Sequence, residues 1–135
     1  MKALIDANVI LDVLQKREPH FEDSLKIWKL CETERVEGCV STLTFANLIY
    51  VMRKELQPQR IAAVFNATSL IFHFVALDVA DLVVAVEKKW DDFEDAVQVA
   101  TAERLHADFI ITRNTKDFVR SPIPAVAPSE FLSLL

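Results

Sequence analysis

A chain of 135 residues, 52% of them apolar, has the length of one domain and enough hydrophobic material for a core, which excludes a disordered polymer. Its net charge of −5 excludes a global attraction to nucleic acid or to an anionic membrane, so any nucleic-acid binding needs a local basic patch or a metal. The single glycine, Gly38, excludes the glycine-rich phosphate cradles of nucleotide- and dinucleotide-binding proteins.

In chain order, residues 2–5 read as a strand and 8–15 as a helix, with Asn8 as N-cap. Pro19 suits the first turn of a helix near 19–35, where Phe21, Leu25, Trp28 and Cys31 form a buried stripe and Gly38 marks the stop. Cys39 and Val40 begin a very short strand. Ser41 or Thr42 caps a helix near 43–56 with Phe45, Leu48, Ile49 and Met52 on one side, and Pro58 opens another near 58–68. Residues 70–77, LIFHFVAL, read as a buried strand. A helix over 79–90 is expected to face the core with Leu82, Val83, Val86 and Trp90. Asp92 caps a helix near 93–106, and 108–112 is a buried strand. RNTKDF is a loop or short helical turn, PAVA at 124–127 a last short strand, and Ser129 caps a C-terminal helix.

Strands alternating with helices predict an α/β fold, a three-layer α/β/α sandwich whose central parallel sheet has about five strands. No linker or repeat divides the chain, so 1–135 is expected to be a single domain. Asp6 interrupts the only apolar run near the start, which argues against a secretory leader. No stretch approaches the roughly 20 apolar residues a membrane span needs. Cys31 and Cys39 form no CxxC or zinc pattern, and a reduced cytoplasmic protein is the simplest expectation.

In such sheets, ligands bind beyond the carboxyl ends of the strands. Asp6 lies at the end of the first strand. Asp92 and Asp95 lie one turn apart at a helix start, and Thr112, Asn114 and Asp117 follow another strand. Singly, Asp92 reads as an N-cap, Asp95 as a first-turn acid favoured by the helix dipole, and Asp117 as a loop acid. Asp6 resists so simple a reading, because it is wedged between Ile5 and an apolar helix. Together the acids map to one rim, where they repel each other unless a cation intervenes. An acidic cluster without His or thiolate suits Mg²⁺ or Mn²⁺, not zinc.

Three blocks carry a family resemblance: LIDANVILDVL, TLTFANLIYVM and DFEDAVQVATAERLHADFIITRNTKDF. Over nearly the whole chain, in order, the sequence resembles the PIN domain family, and within it the small PIN proteins related to VapC-type toxins. The resemblance implies an Mg²⁺- or Mn²⁺-dependent ribonuclease acting on single-stranded RNA. It also implies a homodimer paired with an antitoxin protein. Asp6, Asp95 and Asp117 are implied to be catalytic and to ligate the metal. Asp92 is a further ligand or a cap, and Asn47, Thr112 and Asn114 orient water or ligands. Arg113 and Lys116, with Arg120, Arg53, Lys54 and Arg60 nearby, would track phosphates.

One departure stands out. The family's helix after the second strand usually carries a glutamate in the pattern T-x-x-E, and here Asn47 occupies that position. An amide oxygen can ligate but brings no charge. Two expectations stay open: a working nuclease in which Asp92 compensates, or a module that binds RNA or protein without cutting. A receiver-like phospho-acceptor using Asp78 is disfavoured, because two helices rather than one separate successive strands. His20, His73 and His106 lie in no nucleophile motif.

Overall fold

The structure is a computed structural model describing residues 1–135. Five parallel strands form one sheet: β1 (Lys2–Ile5), β2 (Glu37–Ser41), β3 (His73–Val75), β4 (Phe109–Ile111) and β5 (Ala125–Val126), in the spatial order β3-β2-β1-β4-β5. Seven helices cover it: α1 (Ala7–Leu14), α2 (Phe21–Glu32), α3 (Thr42–Val51), α4 (Ile61–Ile71), α5 (Val79–Lys88), α6 (Phe93–Arg104) and α7 (Pro128–Ser133). The predicted three-layer α/β architecture is the one observed.

Both sheet faces are buried, which explains why β1 and β4 read as continuous apolar runs rather than alternating ones. Ala3 and Ile5 of β1, with Val40 and Ile111, face a cluster completed by Val9, Ile10, Ile27, Leu48 and Phe131. Leu4, Cys39 and Ile110 face the other way, onto Val99, Ala102 and Phe118. The strand order reverses between β1 and β4, where Ile5 pairs with Ile111. The residues that follow this pair, Asp6 and Thr112, therefore emerge side by side at the switch point, the usual ligand crevice of such sheets.

Several local expectations are corrected. Asp6, not Asn8, caps α1: its side chain accepts the Ala7 N–H, and the helix starts one residue earlier than predicted. Pro19 precedes α2, whose buried positions are Ser24, Ile27 and Cys31, while Phe21, Leu25 and Trp28 are partly covered. The helix expected near 43–56 ends at Val51, and a 3-10 turn at Pro58–Arg60 leads into α4, which begins at Ile61 rather than at Pro58. The strand within LIFHFVAL is only His73–Val75. It lies at the sheet edge and Leu70 is exposed, because α4 extends to Ile71 and claims the first part of the run. In α5 the buried positions are Asp81 and Ala85; Val83 and Val86 point to solvent, and Arg104 neutralises Asp81 with its Nε 2.8 Å from Oδ1. α7 is capped by Ala127 with Pro128 in its first turn, not by Ser129.

Gly38 does not end α2, which stops at Glu32; it lies inside β2. A Cβ there would meet Cys31 Sγ at 2.5 Å and Phe72 Cδ1 at 3.1 Å. Gly38 thus lets α2 and Phe72 approach the sheet closely. Gly38→Ala is expected to cost about 1–3 kcal/mol through overpacking. Adding Cys31→Ala should return part of that loss, and denaturant unfolding of the double-mutant cycle measures it; strict additivity would mean that the Cys31 contact is not the cause.

Candidate functional site

The site is assembled from four chain segments at the carboxyl rim. Asp6 is fixed by its backbone N–H, which donates to Ile111 O at 3.0 Å, extending the β1–β4 pairing by one bond. Its Oδ1 accepts the Ala7 N–H at 2.7 Å, and its Oδ2 accepts the Thr112 hydroxyl at 2.8 Å. Thr112 is fully buried, and its Oγ1 also accepts the Asn8 side-chain amide at 3.2 Å and the Asn114 backbone N–H at 3.1 Å. Burial pushes the Asp6 pKa up; Thr112, the Ala7 N–H, Gln98 and the Arg113 charge counteract it only in part.

α6 delivers the second group. It crosses back antiparallel to the strands, so its N-terminus lies at the same rim. Asp92 caps it, accepting the Asp95 N–H at 3.1 Å. Asp95 carries the clearest electrostatic signature. Burial first, and then the charges of Asp92, Asp6, Asp117 and Glu94, raise its pKa from 3.8 to about 7. Glu94 is raised as well, by burial and by Asp92 and Asp6, while its hydrogen bond from Asn47 opposes the shift. The third group is the 3-10 turn Thr115–Phe118, which carries the exposed acid Asp117. An open cavity of about 280 Å³ is lined by Asp92, Asp95, Lys116 and Asp117 together with Trp90 and Arg120. The Arg120 guanidinium stacks over the Trp90 ring at 5.0 Å.

The structure thus brings Asp92, Asp95, Lys116 and Asp117 into one groove and sets Asp6, Thr112 and Asn8 beside it. Asn114 is exposed and contributes its backbone N–H to Thr112. Asn47 is the fourth group, reaching from α3 to Glu94 Oε1. Arg113 departs from its expected role as a substrate contact. Its Nε and Nη2 donate to Asp12 Oδ2 and Oδ1 at 2.8 and 3.1 Å, and the Asp12 side chain is fully buried. A carboxylate inside α1 requires a paired cation, and Arg113 is held there rather than in the groove.

Sequence reasoning missed Asn8 as a bridge, Asp12, Glu94 and Gln98. Two of these were signalled. Asp12 interrupts the apolar run VILDVL, and Gln98 stands among the small residues of DAVQVATA. Gln98 Nε2 donates to Thr44 Oγ1 at 2.9 Å, while its buried Oε1 has no partner.

No group of three His, Cys, Asp or Glu side chains is placed so that it could hold a metal ion as the side chains stand. The donor chemistry nevertheless fits a hard divalent cation. The acids around Asp95 offer only oxygen ligands, four negative neighbours crowd it, and the Gln98 side chain, whose buried Oε1 is unpaired, lies beside Asp6.

A parallel α/β sheet with a crevice at its switch point defines the class: an open α/β domain that binds its ligand beyond the carboxyl ends of the strands. Comparison with known families narrows it: the family profile described as PIN domain matches residues 2–116, and the chain belongs to the PIN domain family. Comparison with curated proteins returns no match. Among solved structures, a toxin–antitoxin complex from Klebsiella pneumoniae is similar at 24% identity and a TM-score of 0.69, covering 93% of this chain and 97% of that one. VapBC2 from Rickettsia felis, bound to a DNA fragment from its promoter, is similar at 15% identity and a TM-score of 0.71, covering 94% and 98%. VapC20 from Mycobacterium tuberculosis, described as a sarcin–ricin loop cleaving toxin, is similar at 12% identity and a TM-score of 0.65, covering 80% and 86%. No helix of this protein is long and apolar enough to cross a membrane.

Proposed function

We propose that this protein is a divalent-metal-dependent ribonuclease that hydrolyses phosphodiester bonds of single-stranded RNA, and that it is the toxin of a toxin–antitoxin pair. The observation that carries the reading is the acid rim. Burial first, and then the charges of Asp92, Asp6, Asp117 and Glu94 from separate chain segments, raise the Asp95 pKa to about 7. Asp6, Asp95 and Asp117 would hold Mg²⁺ or Mn²⁺, with Asp92 as a further donor. When bound, such a cation activates water as nucleophile and offsets charge on the phosphate. Thr112 and Asn8 hold the Asp6 carboxylate in place. Lys116 and Arg120 supply positive charge at the groove, where an RNA backbone would run. Exposed Tyr50, Val51 and Phe65 on α3 and α4 favour a protein partner at that face, an antitoxin or a second copy. The test is cleavage of single-stranded RNA with Mg²⁺ or Mn²⁺ and its abolition by a chelator. Activity that persists in the chelator sinks the reading.

A second reading, a binding module that does not cut, is favoured by Asn47 at the family's glutamate position. Metal titration separates the two, since such a module binds Mn²⁺ poorly.

The crowded acids also set a pH dependence. Folded Asp95 keeps its proton to about 7, whereas the unfolded chain releases it near 3.8. Between these values the native state binds more protons, so metal-free stability falls as pH rises and levels off above about 7. Thermal midpoints in a chelator, followed across that range, check the slope. Asp95→Asn is expected to flatten it, and an equally steep slope in that variant would assign the effect elsewhere.

A further inference from the structure

Asn47 stands where a glutamate is expected, yet a carboxylate is present at that spot. The Asn47 side-chain amide donates to Glu94 Oε1 across the seam between α3 and α6. One turn along, Gln98 Nε2 donates to Thr44 Oγ1. Thr44 and Asn47 are three apart on α3, and Glu94 and Gln98 are four apart on α6, so the two bonds form successive rungs between facing sides of the helices. The ladder fixes a carboxylate beside position 47 although its backbone belongs to the other helix. Asp6 is the neighbour common to both acids, since its charge acts on Glu94 as well as on Asp95.

A second observation points to a ligand. Gln98 is only 6% exposed, its amide lies against Asp6, and its Oε1 has no donor. Buried acceptors are normally paired. The unpaired Oε1 lacks a donor or a cation, not another acceptor.

We propose that Glu94, held in place by Asn47, supplies the carboxylate that position 47 lacks, so that the cation site draws acids from consecutive residues of α6. The inference rests on the metal-dependent reading above and assigns one of its ligands. It makes Asn47 a positioning residue rather than a sign of a disabled site. It also explains why a charge can move from α3 to α6 without emptying the site, since the rung between the two helices is retained.

The test is Mn²⁺ affinity of the full chain, by calorimetry or by loss of the free-ion electron paramagnetic resonance signal, with circular dichroism confirming the fold. Glu94→Gln is expected to weaken Mn²⁺ about 100-fold and Asn47→Ala about tenfold, the range typical for metal-site partners. The exchange variant N47E/E94Q returns the carboxylate to α3 and is expected to recover most of the affinity, which a merely structural Glu94 would not allow. Glu94→Gln binding like wild type, while Asp6→Asn does not bind, overturns the assignment and leaves the metal site standing. Failure of N47E to restore E94Q also overturns it. Wild type that binds no Mn²⁺ overturns both the assignment and the reading beneath it.

Discussion

Asp6→Asn is expected to lower divalent-dependent RNA cleavage by about 100-fold or more, the scale on which loss of one group that stabilises reaction charge is felt. The fold should stay close to wild type in stability, because relief of the buried charge offsets the hydrogen bonds lost at Oδ2. Asn is as good an N-cap as Asp, so the Ala7 N–H keeps its acceptor and α1 keeps its start. At the Oδ2 position an amide nitrogen instead faces the Thr112 hydroxyl and the Asn8 amide, so those two bonds are lost or reversed. The charge disappears with them. Burial holds the Asp6 pKa above its ordinary value, so the native state disfavours the carboxylate, and its stability drops as pH rises through the folded pKa. The neutral amide removes that penalty. Cleavage of a labelled single-stranded RNA with Mn²⁺, alongside thermal unfolding without metal, gives the two readouts. Cleavage and melting temperature lost together would make Asp6 a structural residue. Full activity would remove it from the site.

That opposition between activity and stability was partly legible in the sequence. An acid wedged between Ile5 and an apolar helix is costly, whereas the strand order that places it at the crevice comes only from the structure. Asp95 and Asp117 were legible for the same reason: each sits where a strand or a crossover helix meets the rim. What the sequence could not supply is which side chains meet across elements. Glu94 reads as one more first-turn acid until Asn47 is seen to reach it from α3, 47 positions away. Arg113 reads as a phosphate contact because it is next to Thr112 in the chain. Its partner is Asp12, 101 positions earlier, and only the packing of β4 beside β1 makes the pair.

The fold was legible where burial is two-sided and less so at the margins. β1 and β4 announce themselves because both faces need apolar residues. LIFHFVAL announces only that something apolar is there, and helix α4 and edge strand β3 divide it. The α5 face was misread because Val83 and Val86 have the helical spacing of a core stripe, while the buried position is taken by Asp81 paired with Arg104. A buried carboxylate paired with a partly exposed arginine inverts the usual hydrophobic pattern, and spacing alone cannot detect it. Gly38 reads as a helix stop because glycine usually marks one; here the missing side chain makes room for Cys31.

Arg113→Ala is expected to destabilise the protein by about 3–5 kcal/mol, the cost of leaving a buried carboxylate without its cation. At this chain length the melting temperature should fall by about 10 °C or more. Asp12 would keep only the Ser24 hydroxyl, 2.9 Å from Oδ2. Arg113→Lys should recover little, since a point charge cannot replace two parallel N–H donors fitted to both carboxylate oxygens. Replacing both partners with apolar residues, as in D12L/R113M, should recover much of the loss, because the penalty lies in the unpaired charge rather than in the absent pair. A phosphate-tracking arginine predicts a different pattern: near-wild-type stability, and an RNA affinity whose salt dependence weakens by about one charge. The consequence extends to the site. The Arg113 backbone N–H donates to Asn8 Oδ1, and Asn8 in turn reaches Thr112 and Asp6. The Asp12–Arg113 pair thus anchors the segment that holds the first acid of the rim, so a variant that remains folded at low temperature should cleave more slowly without binding RNA more weakly.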